Sequence, residues 1–238
     1  MRLDKYLADM CVGSRSQVKQ LIRKGSVFIN GNKATDPGMA VGDADTVVCD
    51  GVTISHRDHF YYMLNKPAGI ITATEDNRQQ TVLDLFPENM RKRLFPVGRL
   101  DKDTVGLLII TDDGALCHEL MAPSHHVDKR YLLHTDAPMT EEDVSAFREG
   151  LVLNDGTAFK EAELDIDPDD PCSAVITISE GKYHQIKRML SARGKEVIYL
   201  KRLSVGELEL DESLGEGEYR ELTEQELIIL HKKKSNRL

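Results

Sequence analysis

Long hydrophobic runs are missing from this chain of 238 residues. No stretch nears the roughly 18 apolar residues that a membrane span needs, and Met1-Arg2-Leu3-Asp4-Lys5 is not expected to open a signal peptide. Cysteine is scarce: Cys11, Cys49, Cys117 and Cys172 are the four, far apart and without metal-type pairing. Reduced thiols in a cytoplasmic protein are therefore expected. His125-His126 with His118 lacks the spacing of a metal set, and no cysteine or glutamate completes one. There is no Gly-x-Gly-x-x-Gly, no P-loop and no Gly-x-Ser-x-Gly elbow, so nothing calls for a nucleotide or flavin. Internal repeats and low-complexity segments are also missing. What remains, at 40% apolar content, is enough for a real core, in one large domain or a small module plus a medium one.

The net charge of −9 argues at first against a nucleic-acid partner. Its distribution argues the other way. Residues 136–180 carry 13 acids and 2 bases, a net −11, and residues 207–226 carry 9 acids and 1 base, a net −8. The other 173 residues therefore carry +10, and Met1 to Lys33 alone holds seven bases against two acids. Local sign, more than the total, steers a polyanion.

Residues 1–57 read as a separate small module. Ser14 and Gln17 have capping-box spacing, Val18, Leu21 and Ile22 form an apolar stripe behind them, and Gly25 supplies a stop. Arg15, Lys19 and Arg23 recur every four residues, so they share a helix face about 80° wide, beside the apolar stripe. Such a stripe is usually only a solvated face. Here it keeps company with a hairpin, because Asn30-Gly31 after Val27-Phe28-Ile29 suits a type I′ turn. Gly42-Asp43 turns the chain into another strand near Thr46-Val47-Val48. Two short helices and a small sheet with one basic face fit a compact RNA-binding module.

Residues 58–238 alternate strands and helices without regular βαβ spacing, which points to an α+β fold with a mixed, mainly antiparallel sheet flanked by helices. Expected strands are Phe60–Leu64, Leu107–Ile110, Tyr131–Leu133 and Ala174–Ile178, with Asn65-Lys66-Pro67-Ala68-Gly69 as a turn and Ile70-Ile71-Thr72 extended after it. Expected helices are Gly114–Met121 and His184–Arg193, the second with Ile186, Met189 and Leu190 inward and Gly194 as its stop. The tail His231-Lys232-Lys233-Lys234 is expected to fray and to touch phosphate.

The most informative stretch is Gly98-Arg99-Leu100-Asp101-Lys102-Asp103-Thr104-Val105-Gly106. Charged side chains just before a buried strand sit at the rim of a core, where carboxylate chemistry becomes possible. Asp101 and Asp103 share a side of an extended chain, as a paired-carboxylate or metal site would require, though Arg99 and Lys102 between them equally suit a salt-bridged turn. A second cluster, Glu180-Gly181-Lys182-Tyr183-His184-Gln185-Ile186-Lys187-Arg188-Met189, gathers donors where a strand meets a helix N-terminus, a place that favours anions. An exposed basic helix is the plainer alternative.

Two resemblances collect these residues. The first 50 or so, through Arg2-Leu3-Asp4-Lys5-Tyr6-Leu7, Ser14-Arg15-Ser16, Leu21-Ile22, Gly25-Ser26-Val27 and Ile29-Asn30-Gly31, resemble the ribosomal-protein-S4-like domain, which implies binding to structured RNA. Nearly the whole chain resembles the pseudouridine synthases, in their ribosomal small-subunit branch of type A. The match runs through Leu64-Asn65-Lys66-Pro67-Ala68-Gly69, Gly98 to Leu107, Lys129-Arg130-Tyr131, Glu180 to Met189 and Gly217-Glu218-Tyr219-Arg220-x-Leu222-Thr223.

The resemblance implies that Asp101 is the catalytic aspartate, Tyr131 the active-site tyrosine and Lys187 the basic partner of the aspartate. Two positions depart from the usual pattern: Val105 replaces a small hydroxyl residue, and Lys187 replaces the more frequent Arg, keeping the charge but losing the bidentate fork. RNA contacts are expected from Arg99, Lys66, His184, Gln185 and Arg188, and from Arg2, Arg15, Lys19 and Arg23 in the N-terminal module. The implied reaction detaches uracil, rotates it and rejoins it through carbon, with no cofactor and no metal. A stacked base is out of reach, so the target has to be flipped into the pocket. The expected partner is 16S ribosomal RNA or a small-subunit assembly intermediate, met by a monomer. The compact length and lack of a long basic tail favour the small subunit over 23S rRNA; a non-catalytic rRNA-binding or assembly protein, and a hydrolase using Asp101 with Asp103, are the other readings.

Overall fold

The computed structural model describes residues 1–122 and 127–231. His125-His126 and the basic tail beyond His231 lie outside them. The chain divides into two compact units, Met1–Phe60 with Phe86–Arg93, and Tyr61–Leu85 with Leu94–Leu238.

In the first unit, helices α1 (Leu3–Asp9) and α2 (Arg15–Lys24) pack with β1 (Val27–Ile29), β2 (Asn32–Lys33), β3 (Val47–Cys49) and β4 (Val52–Ile54), in the order β2-β1-β3-β4. The local signals act as expected. Ser14 Oγ accepts from the Gln17 amide while Gln17 Oε1 accepts from the Ser14 amide, and Gly25 closes α2 at φ 81°, the left-handed region. Asn30 and Gly31 both take positive φ, and β1 pairs with β2 directly across them. Leu3, Leu7, Val18, Ile22, Val27 and Val47 make the core of this unit. Phe86–Arg93, which contains α3 (Glu88–Arg91), was read as part of the second domain, but it packs here: Asn89 Nδ2 donates to the Cys11 carbonyl at 2.6 Å, and the Arg93 guanidinium lies 5.3 Å from the Phe60 ring centre.

In the second unit the strands β5 (Tyr61–Lys66), β6 (Phe95–Pro96), β7 (Val105–Thr111), β8 (Lys129–Thr135), β9 (Leu151–Val152), β10 (Ala158–Phe159), β11 (Ala162–Ile166), β12 (Ser173–Ile178), β13 (Val197–Val205), β14 (Leu208–Glu209) and β15 (Tyr219–Glu221) are accompanied by α4 (Gly114–Met121), α5 (Glu141–Glu149), α6 (Gln185–Ala192) and α7 (Glu224–His231). The main sheet runs β11-β12-β8-β13-β7-β5-β15, with β6 on β7 and β14 on β13; β9 and β10 form a separate pair. Among these pairings β13–β7 alone is parallel, so the sheet is mixed and mainly antiparallel.

The departures from expectation have local causes. β5 continues through Asn65 and Lys66, read as turn, because Asn65 and Lys66 pair with Leu107 and Gly106. β7 begins at Val105, with every residue buried. It passes through Gly106 at φ +100°, where an added Cβ would lie 2.3 Å from the Arg202 carbonyl oxygen, so only glycine lets β7 and β13 close on each other. Ile71 makes a single bridge to Thr81 and no strand. β13, nine residues long and central, was not anticipated.

Candidate active site

Asp101 lies in the loop that enters β7, and α6 brings its partners. Lys187 Nζ lies 3.2 Å from Asp101 Oδ2 and 2.5 Å from Asp103 Oδ1, and His184 Nε2 lies 3.5 Å from Asp101 Oδ1. The two carboxylates therefore do converge, but on the ammonium from α6. Neither Arg99 nor Lys102 pairs with them; Lys102 Nζ instead donates to Gln79 at 2.9 Å. Lys187 reaches the site because Ile186, Met189 and Leu190, buried along the adjoining face, anchor α6 in the core. Burial works against its charge, yet the bonds to Asp103 and Asp101 more than offset this and hold its pKa above the ordinary lysine value. Asp103 is held below the ordinary carboxylate value by the same ammonium, against its own partial burial.

Asp101, Lys187 and Tyr131 line one cleft with Arg99, Thr104 and Leu200. Tyr131 stands on β8, in register with Arg202 of β13 and Ile176 of β12, and is 7% exposed. A half-buried carboxylate at 28% exposure, an ammonium and a phenol ring thus face one space. That set can place a carboxylate against a planar ring. Arg99 is exposed on the cleft wall, with no ion pair or hydrogen bond among the described residues.

Other expected RNA contacts have different employment. Lys66 is fully buried and donates to the carbonyls of Pro67 (2.9 Å), Thr104 (2.9 Å) and Lys102 (3.3 Å), so it clamps the Asp101 loop from beneath; burial pushes its pKa down to about 8. Gln185, 4% exposed, bonds Glu180 and the Lys182 amide and knits the turn before α6. Arg188 holds Asp155 (2.7 Å) and Thr157 (3.0 Å) of the β9–β10 hairpin. Arg2 is paired with Asp4 at 3.0 and 3.1 Å. Arg15, Lys19 and Arg23 are exposed along α2, with no ion pairs among the described residues.

Sequence reasoning missed Thr104, Ile178 and Leu200 as parts of the cleft. Thr104 was legible in the motif around Asp101, whereas Leu200 lies on the unanticipated β13. It also missed that Lys129, 8% exposed, is a buried base held down to about 8 by burial and by neighbouring Arg202. Among the described residues no three or more His, Cys, Asp or Glu side chains converge as a metal site.

Comparison with known proteins agrees with this geometry. Residues 60–192 match the RNA pseudouridylate synthase family, and residues 1–47 match the S4 domain. An uncharacterized RNA pseudouridine synthase of Bacillus subtilis, YtzG, is 48% identical over 97% of this chain and 98% of its own. Ribosomal small subunit pseudouridine synthase A of Haemophilus influenzae is 38% identical, and that of Escherichia coli K12 37%, each over 95% of this chain and 98% of the relative. A pseudouridylate synthase crystal structure superposes with a TM-score of 0.69 at 37% identity, covering 97% of this chain and 99% of the other. With family matches in both halves and relatives alike over almost the full length, the chain belongs to the RNA pseudouridine synthases, with an S4 domain at its N-terminus.

Proposed function

We propose that this isomerase converts one specific uridine of 16S ribosomal RNA to pseudouridine, with Asp101 as its catalytic carboxylate. The observation that carries the site assignment is the ammonium of Lys187 at 3.2 Å from Asp101, on the wall of a cleft shared with Tyr131. The flipped uridine enters that cleft. Asp101, paired with Lys187, meets the nucleoside as nucleophile or stabiliser of the charge that develops as the glycosidic bond breaks. Tyr131 faces the base and serves its rotation and the final proton removal from carbon. Reactant and product are isomers and no electrons are gained or lost, so the atoms balance without a cofactor.

The small-subunit assignment follows the names of the relatives at 37–38% identity, which favours it over 23S rRNA. A non-catalytic role leaves the Asp101–Lys187 pair in a cleft without a purpose. A metal-dependent hydrolase would need a cation between Asp101 and Asp103, where the Lys187 ammonium already sits. We further propose that an S4-like module over residues 1–57 binds the RNA backbone through Arg15, Lys19 and Arg23, with the synthase domain over 58–238 apart from Phe86–Arg93, and that the enzyme works as a cytoplasmic monomer. No helix among the described residues is long and apolar enough to cross a membrane.

Pseudouridine mapping of rRNA from cells with and without the protein tests the reading. One 16S position is expected to revert to uridine in the deletion strain. An unchanged 16S map would reject the substrate assignment.

A further inference from the structure

The turn before α6 carries a feature that the reaction at Asp101 does not use. Tyr183 is 75% exposed, the only aromatic among the large hydrophobic residues left strongly exposed in the described structure. Its ring stacks on that of the next residue, His184, with centres 3.8 Å apart and planes within 16°. Consecutive side chains on an extended chain point to opposite sides. Here they meet because His184 adopts φ 48°, ψ 34°, a left-handed conformation that side-chain-bearing residues seldom take. His184 starts α6 through its backbone carbonyl, which accepts from the Arg188 amide at 2.9 Å, and its side chain makes no cap bond, leaving the ring for the stack. Nor does the Tyr183 hydroxyl hydrogen-bond any described residue. The neighbouring cation is occupied: Lys182 Nζ pairs with Glu180 at 3.2 Å and donates to the Ala158 carbonyl. The backbone is bent to present a ring pair whose inner member touches Asp101 at 3.5 Å and whose outer member has an open face.

A flipped uridine leaves a gap in the strand, and each neighbouring base loses a stacking partner. An aromatic ring beside the cleft mouth replaces that partner for any base, because every base has a π-face. We propose that the open face of Tyr183, backed by His184, is the stacking site for the nucleobase next to the target uridine. This rests on the pseudouridine synthase reading of the Asp101 cleft. Arg99, exposed on the cleft wall without a partner among the described residues, is placed to meet a phosphate of the same strand.

The test uses the full-length protein and 16S rRNA transcripts carrying tritium at uridine C5, whose release reports isomerisation. Tyr183→Leu, Tyr183→Phe and Tyr183→Trp are compared with wild type. Loss of one stacked base is expected to lower kcat/KM of Tyr183→Leu roughly 5- to 150-fold, while the two aromatic variants stay near wild type. In a parallel set, 2-aminopurine replaces the base on either side of the mapped target. Its fluorescence should be quenched on binding wild type and Tyr183→Trp, and far less on binding Tyr183→Leu. Tyr183→Leu matching wild type in kcat/KM on an active enzyme overturns the stacking site alone. Tyr183→Phe as impaired as Tyr183→Leu also overturns it, since the hydroxyl and not the ring is then what matters. Absence of tritium release by wild type on 16S transcripts, when they are folded or offered as small-subunit particles, defeats the substrate reading and this proposal with it.

Discussion

Lys187 and Lys66 are both lysines beside the Asp101 loop, yet they titrate in opposite directions. Lys187 is raised by its carboxylate partners, so its contribution to stability is complete below the unfolded value of 10.5 and fades only as pH climbs through the folded one. Asp103, lowered, contributes fully above 3.8 and loses its share as pH falls. The stability difference between wild type and Lys187→Met should therefore be flat across neutral pH and shrink at both extremes in denaturant melts. Catalysis is more sensitive: removing the partner of a partly buried carboxylate costs about 2–5 kcal/mol, so kcat of Lys187→Met should fall at least about 30-fold, and Lys187→Arg should recover most of it. Lys66, lowered to about 8, is the reverse case. Between about pH 8 and 10.5 the unfolded chain holds a proton that the folded one has shed, so wild type gains on Lys66→Met by up to about 3 kcal/mol as pH rises through that window. Urea melts at pH 7 and pH 10 distinguish the two lysines, and a margin over Lys66→Met that narrows with rising pH contradicts the burial argument.

At the scale of elements, α6 is held at both ends. Its first turn carries His184 and Lys187 to Asp101, and just beyond its last turn Arg193 and Lys195 grip the fully buried carboxylate of Asp143, each at 2.8 Å. Asp143 also completes the capping box of α5 with Thr140, and these donors outweigh burial to hold its pKa down to about 2. Its stabilisation is present above 3.8 and lost as pH falls toward 2. Asp143→Asn should cost about 2–4 kcal/mol at pH 7, a penalty that shrinks on acidification below pH 4. A penalty that is constant from pH 7 to 2.5 counts against the ion-pair account. Sequence legibility followed the locality of each signal. α2 and α6 announced themselves through caps, stops and apolar spacing within a dozen residues. β13 did not, because Lys201 and Arg202 interrupt its apolar pattern, and the buried Arg202 donates to the Leu107 carbonyl, nearly a hundred residues away. Likewise Asp101 stood out in its motif, whereas the burial of Lys66 beneath that motif depends on three carbonyls that no local pattern reveals.

At the scale of the whole molecule, charge is sorted by position. The acidic segment 136–180 builds the β11–β12 edge of the large sheet, and segment 207–226 includes β15 at the opposite edge. Exposed Glu163 and Asp165 blunt the β11 edge against further strand pairing and repel a phosphate backbone. The cleft draws on the interior strands β8 and β13, the end of β12 at Ile178, the start of α6 and the loop into β7. In the other unit, Arg15, Lys19 and Arg23 offer three exposed cations along one helix. Replacing all three by Gln should weaken binding to 16S transcripts and reduce the slope of log K against log salt by about 2 to 3. An unchanged slope removes α2 from the RNA interface. Substitution suits this test better than cutting at residue 57, because Phe86–Arg93 belongs to the same compact unit and a cut would strand it.

The most direct measurement compares Asp101→Asn with Asp103→Asn, as purified full-length proteins on 16S RNA, scored by pseudouridine formed per molecule. Asp101 faces the cleft at 28% exposure, and Asp103 is 73% exposed and serves Lys187 from outside. Asp101→Asn should form no pseudouridine above background while still binding RNA, and Asp103→Asn should keep a substantial part of the activity. Turnover by Asp101→Asn, or equal loss in both variants, would contradict the assignment of the chemistry to Asp101.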